Sequence, residues 1–258
     1  MNANPSVRAA AVLVAIAAAI ATNALAVALP LAGRDTAAVS DMYPVRFTPA
    51  GYVFGIWSVI YLGLVAFAVW QALPAQRSDP AVRRLDGPVL VGCVANAVWL
   101  VMWHNLWIPA SLLVMLVLLG SLIATYTRLG TGVRPARSAG ERWCARLPFS
   151  IYLGWISVAT IANASIVLYH LGWRGAPLSE AAWAAIVLAV AAVLALVMAR
   201  RHGDAAYGLV IAWAAYGIAV KQADAATVVY AAWATAAVAL GAAVWAIAAA
   251  SRSRSHAL

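Results

Sequence analysis

Residues 89–107 read VLVGCVANAVWLVMWHNLW. The stretch carries no Asp, Glu, Lys or Arg. It is close to the roughly 20 apolar residues that a helix needs to cross the hydrocarbon of a bilayer. Within it Asn96, Trp99, Trp103 and Trp107 recur at steps of three and four, which puts them on one stripe of an α-helix. An amide inside hydrocarbon has to find a partner or a cavity, because lipid offers neither donor nor acceptor. Two further apolar stretches repeat the pattern. Phe54, Trp57 and Tyr61 sit at i, i+3 and i+7, and Tyr152, Trp155, Ala159 and Asn163 follow the same helical steps. Three such stripes predict a shared, aromatic-lined, weakly polar pocket inside a helical membrane bundle.

Composition supports that class. Of 258 residues, 66% are hydrophobic and only 10% are charged, more apolar surface than a soluble domain of this size could bury. The chain reads as an all-α, polytopic integral membrane protein. Some of its 12 Trp are expected as anchors at the membrane interface. The net charge of +9 comes almost wholly from Arg in the loops, where topology explains it better than nucleic-acid binding does. No nucleic-acid partner is expected. Cys93 falls in a predicted helix and Cys144 in a predicted inner loop, and neither has neighbours at a metal-site spacing.

Eight spans are predicted, roughly 9–29, 50–73, 89–107, 109–127, 147–171, 181–199, 205–220 and 227–250, the seventh at the lower limit of length. With the N-terminus inside, the inner segments hold Arg8; Arg77, Arg83 and Arg84; Arg128, Arg134, Arg137, Arg142 and Arg146; Arg200 and Arg201; and Arg252 and Arg254. The outer segments hold Arg34, Arg46, Arg174 and Lys221. Thirteen against four is a positive-inside pattern, and it favours both termini inside a bacterial-type cytoplasmic membrane. A cleaved signal peptide over the first span is the rival reading, from Arg8 and the string NALAVA. The last three spans are Ala-rich and plainer than the first five. This suggests a boundary near 175, with 1–175 as one module and 176–258 as a second that ends in the basic tail SRSRSH.

At a rise of about 1.5 Å per residue, Trp57, Trp99 and Asn163 lie about 12 Å from the outer ends of their spans, and Trp155 about 24 Å. The outer loop 31–49, with Tyr43, Pro44, Arg46, Phe47 and Pro49, suits a semi-rigid lid. Each stripe taken alone reads more readily as helix packing, and each Asn as a hydrogen bond to a neighbouring helix; three stripes at matching depth bring the two readings level.

The three stripes resemble the motifs of the TspO/MBR family, the tryptophan-rich sensory or translocator proteins. The family's second helix has a pattern like P-x-G-W-V-F-G-x-V-W-T-x-L-Y; residues 49–61 here read PAGYVFGIWSVIY, one residue shorter between Phe54 and Trp57. Its third helix has L-N-x-x-W, against ANAVW at 95–99. Its fifth reads like P-Y-L-x-W-x-x-F-A-T-x-L-N, against IYLGWISVATIAN at 151–163, with Ile151 in place of the proline. The resemblance covers roughly residues 7–171 and implies a five-helix bundle, with the last three spans as an addition. It implies a ligand pocket under the first loop for porphyrins or, in some members, sterols, lined by Trp57, Asn96, Trp99, Trp155, Ala159 and Asn163. Ala159 would leave room for the ligand.

The expected function is ligand binding or sensing, with a flat hydrophobic molecule such as a tetrapyrrole as ligand and no required cofactor. Phe54, Trp57, Tyr61, Asn96, Trp99, Tyr152, Trp155, Ala159 and Asn163 are the candidate binding residues. Trp and Tyr faces would stack on the ring and Asn would fix a polar edge. A facilitative transporter is the first alternative. All eight acidic residues fall in loops or at span ends, which argues against a proton relay. An enzyme acting on porphyrin is the second, although no H-E-x-x-H, G-x-S-x-G or P-loop is present. No catalytic or metal residue is assigned. His104 and His170 are expected to be solvated at helix ends, and Lys221 to pair with Asp224. Membrane lipid is the remaining partner, and the Ala-rich faces would also permit a homodimer.

Overall fold

A computed structural model describes residues 4–29 and 31–255, so His256 of the basic tail lies outside it. Every described element is helical. They are α1 (Pro5–Ala28), a 3-10 turn (Leu31–Gly33), α2 (Thr36–Asp41), a second 3-10 turn (Gly51–Gly55) and α3 (Ile56–Ala72). The short α4 (Pro74–Arg77) and α5 (Pro80–Arg83) lead into α6 (Asp86–His104) and α7 (Ile108–Leu129). A π-helical turn (Glu141–Arg146) runs into α8 (Leu147–His170), followed by α9 (Glu180–His202), α10 (Ala205–Lys221) and α11 (Ala226–Ser255). Among the described residues, seven helices are long and apolar enough to cross a membrane. Ala205–Lys221 is apolar but shorter.

The residues at the helix starts explain several boundaries. Asn4, Asp79, Ser179 and Asp204 each accept a hydrogen bond from a free N–H of the first turn that follows. Asp79 and Asp204 thus serve as caps, which is why carboxylates sit at span ends. Cys144 falls in the π-helical turn rather than in an inner loop, because that turn extends the fifth span back to Glu141.

The chain divides into two compact units. The first comprises residues 1–39 and 56–153. Here α1 packs on α3 and α6, and α6 packs on α7. Its core is built from Ile16, Ile60, Phe67, Leu118 and Phe149. Gly63 permits a close approach to Pro148, whose Cβ a side chain at position 63 would meet at 2.8 Å. The second unit comprises residues 40–55 and 154–258. Its α9, α10 and α11 pack against one another. Ala191, Ala195 and Ala199 on α9 and Ala232, Ala239, Ala243 and Ala246 on α11 are almost wholly buried. Small side chains let these helix backbones approach closely, the arrangement favoured where lipid supplies no hydrophobic drive.

Candidate functional site

In the first unit the predicted aromatic residues meet. Trp57 stacks on Tyr61, with ring centroids 5.5 Å apart and planes 23° apart, because one turn of α3 separates them. Trp57 also faces Trp99 at 6.4 Å and 29°, and Trp99 stacks on Trp103 at 5.6 Å and 22°. The result is a continuous run of four rings, Tyr61–Trp57–Trp99–Trp103. Tyr152 meets Trp57 edge-on at 5.9 Å. Trp99, Trp103 and Tyr152 are buried, while Trp57 and Tyr61 are half-buried.

A polar chain runs beside these rings. Asn96 Nδ2 donates to the Tyr152 hydroxyl at 2.9 Å. Asn23 Nδ2 donates to Asn96 Oδ1 at 2.7 Å and to the Ala19 carbonyl at 2.9 Å. All three side chains are buried, so each satisfies the others where water does not reach. Asn23 was not among the candidate residues, although the rule that singled out Asn96 applies equally to it. Its place in the string NALAVA drew the signal-peptide reading instead.

The end of the ring stack is tied to α2. Trp103 Nε1 donates to the Thr36 carbonyl at 3.1 Å, and the Thr36 hydroxyl shares a hydrogen bond with His104 Nε2 at 3.1 Å. His104 is fully buried, which corrects the expectation of a solvated histidine: α2 covers it. The cavity that Tyr61, Cys93, Asn96 and Tyr152 help to line is about 10 Å³, the room of roughly one water.

The second unit holds the other candidates. Phe54 lies in the 3-10 turn that precedes α3. Its ring meets Trp155 edge-on at 5.7 Å. Trp155 is buried, Ala159 half-buried and Asn163 buried, in that order along α8. Tyr43 bonds to His170 Nδ1 at 3.4 Å, and burial raises its phenol above the ordinary range. Lys221 pairs with Asp41 rather than with Asp224, because segment 40–55 folds against the end of α10. Asp224 instead pairs with Arg46 at 2.7 Å, and that hydrogen bond holds its carboxyl below the usual range.

Away from the rings, a buried carboxylate anchors the start of the fifth span. Glu141 accepts from Arg146 at 2.6 Å and from Arg137 at 2.7 Å, with Arg134 at 3.0 Å. The bond to Glu141 raises the Arg137 guanidinium further, with a second contribution from Asp79 at 2.6 Å. Among the described residues, no three His, Cys, Asp or Glu side chains are grouped as metal ligands would be.

These features define a multi-pass, all-α membrane protein with a buried aromatic–amide cluster. The chain belongs to the family of TSPO-like proteins, whose family model matches residues 9–245. The match continues through α9 and α10 and into α11, past the segment that carries the recognisable motifs. No curated protein and no solved structure matches the chain.

Proposed function

We propose that the protein is a membrane-embedded binding or sensory protein for a flat hydrophobic ligand of the tetrapyrrole kind. The ring run Tyr61–Trp57–Trp99–Trp103 supports this reading, with Tyr152 and Asn96 beside it. Near-parallel indoles offer their faces to a planar ligand, and Asn96 offers an amide to its polar edge. Phe54, Trp155, Ala159 and Asn163 are assigned to binding by the family's motifs. Titration of the purified protein with protoporphyrin, followed by tryptophan quenching, tests the reading. Saturable binding that is weakened by Trp99→Ala and Trp155→Ala supports it. Equal quenching in the wild type and both variants overturns it, and wild-type binding by Ala159→Phe removes Ala159 from the site.

The topology that accompanies this function has eight crossings with both termini inside, the short α10 being the seventh. At about 1.5 Å per residue its 17 residues span about 25 Å. That is short of the hydrocarbon thickness by an amount that local thinning and an extended Lys221 can absorb. The thirteen-to-four distribution of basic residues favours it. Labelling of single cysteines at positions 203 and 223 from opposite sides of the membrane tests it, and labelling of both from one side refutes it.

A further inference from the structure

Segment 40–55 and the end of α10 are joined by an unusual density of bonds for two pieces of chain so far apart in sequence. Ala50 N donates to the Gly217 carbonyl at 3.1 Å, and Trp213 Nε1 donates to the Val53 carbonyl at 3.2 Å. Lys221 Nζ donates to the Thr48 hydroxyl at 3.1 Å and pairs with Asp41. Arg46 donates to Gln222 Oε1 at 3.1 Å and pairs with Asp224 at 2.7 Å. Tyr52 adds a ring contact with Trp213, 5.6 Å between centroids.

The sequence of each partner fits the task. Pro44 and Pro49 interrupt helix between the end of α2 and the 3-10 turn Gly51–Gly55. The segment's Phe47, Thr48 and Val53 are nonetheless buried to 1% or less, so a stretch without regular helix is packed like a core element. On α10, Gly217 gives the space: a Cβ there would collide with the Val53 side chain. The polar ends of Lys221 and Gln222 are placed where the helix stops, three and two residues before Asp224. The segment ends in Phe54, whose ring meets Trp155 on α8.

We propose that α10 is the positioning element of the binding site. Trp213, Gly217, Lys221 and Gln222 hold segment 40–55, and through it they set Phe54 against Trp155. This gives a helix outside the recognisable motifs a task in recognition: Trp213 and Lys221 act through Phe54 without touching ligand. The inference rests on the reading of Phe54 and Trp155 as binding residues, but the clasp itself is measurable without ligand.

The experiment uses the full-length protein in lipid nanodiscs, with amide hydrogen exchange of residues 45–55 as the first readout and protoporphyrin titration as the second. Four proteins are compared with the wild type: Lys221→Met, Lys221→Arg, Trp213→Phe and the charge reversal Asp41→Lys with Lys221→Asp. Trp213→Phe keeps a ring but loses the donor to Val53, so it remains informative should Lys221→Met fold poorly. The expected result is exchange in 45–55 at least 10-fold faster in Lys221→Met and in Trp213→Phe. Exchange in α9 should be unchanged, with restoration in Lys221→Arg and in the charge reversal. Protoporphyrin affinity should fall several-fold in the two weakened variants and recover with the rescue. Wild-type exchange of 45–55 in both weakened variants overturns the clasp. Faster exchange with unaltered protoporphyrin affinity overturns the positioning role. If the wild type binds no protoporphyrin, the reading of the ligand fails, and the exchange data alone then decide whether α10 holds the segment.

Discussion

Replacing Asn96 with Leu keeps the branched shape of four side-chain heavy atoms while removing the centre of the buried amide–phenol chain. Two hydrogen bonds are lost, one from Asn23 at 2.7 Å and one to Tyr152 at 2.9 Å. Side-chain bonds between membrane helices average about 0.6 kcal/mol each, because the unfolded chain in the bilayer also finds partners. The two together therefore contribute about 1.2 kcal/mol on that scale. Asn23 retains its bond to the Ala19 carbonyl at 2.9 Å, so its amide is only partly orphaned. The Tyr152 hydroxyl, buried at 4% exposure, loses the acceptor-side partner it has, and an unsatisfied buried polar group costs about 1–3 kcal/mol. The expected loss for Asn96→Leu is thus about 2–4 kcal/mol, and Tyr152→Phe should cost less because it removes one bond. Unfolding equilibria measured by steric trapping in bicelles give both values, and the double variant gives the coupling between them. A change within about 0.5 kcal/mol of wild type for Asn96→Leu, the scatter of ordinary surface substitutions, would refute the argument that this network is satisfied and closed.

Three further outcomes are expected. Glu141→Gln removes the charge opposing Arg146, Arg137 and Arg134, and breaking so buried a pair should destabilise the protein by about 3 kcal/mol or more; a thermal melt in detergent checks it. The carboxyl of Asp224 is depressed by Arg46, so its contribution to holding segment 40–55 is present above the unfolded carboxylate pKa of about 3.9 and is lost as pH falls through the lower folded value. Protease cleavage within 40–55 should therefore stay flat from pH 7 to 5 and rise only below about 4, and Asp224→Asn should abolish that rise. Thr36→Val removes the hydroxyl shared with His104 but leaves the carbonyl that receives Trp103, so hydrogen exchange in α2 should accelerate while emission from the tryptophan stack changes little.

Spacing made the ring stack legible because Trp99 and Trp103, like Trp57 and Tyr61, lie one helical turn apart, and a regular helix fixes what such neighbours face. Phe54, counted as i to the Trp57 i+3, falls in a 3-10 turn just before Ile56, a change of helix type that the spacing does not announce. Lys221 was matched with Asp224, the carboxylate nearest in sequence. Its partner Asp41 is 180 residues away and becomes a neighbour only when segment 40–55 folds onto α10. His104 looked solvated because it sits at a helix end, and nothing local in the sequence announces that α2 covers it. The buried Glu141 shows the same limit. An acidic residue at a span end is ordinarily solvated, and the π-helical turn that draws it inward has no periodicity to betray it.

On the proposed reading, the contacts within the ring run set a cost for any ligand that separates them. Each ring contact in the stack is worth about 0.5–1.5 kcal/mol beyond the area it buries, so opening the three contacts of Tyr61–Trp57–Trp99–Trp103 costs about 1.5–4.5 kcal/mol. A small aromatic ligand replaces one contact and recovers only part of that cost. A broad planar ligand lying along the run presents two faces and recovers most of it, while the amide of Asn96 offers a partner at its edge. On the proposed reading such a ligand separates rings that touch one another, so its apparent affinity scales with the fraction of molecules in which the stack is open. Loosening the stack by Trp103→Leu should therefore speed association of a planar ligand even as it removes a ring. A slower association rate in that variant, read by stopped-flow quenching, would mean that Trp103 guides entry instead of closing the stack.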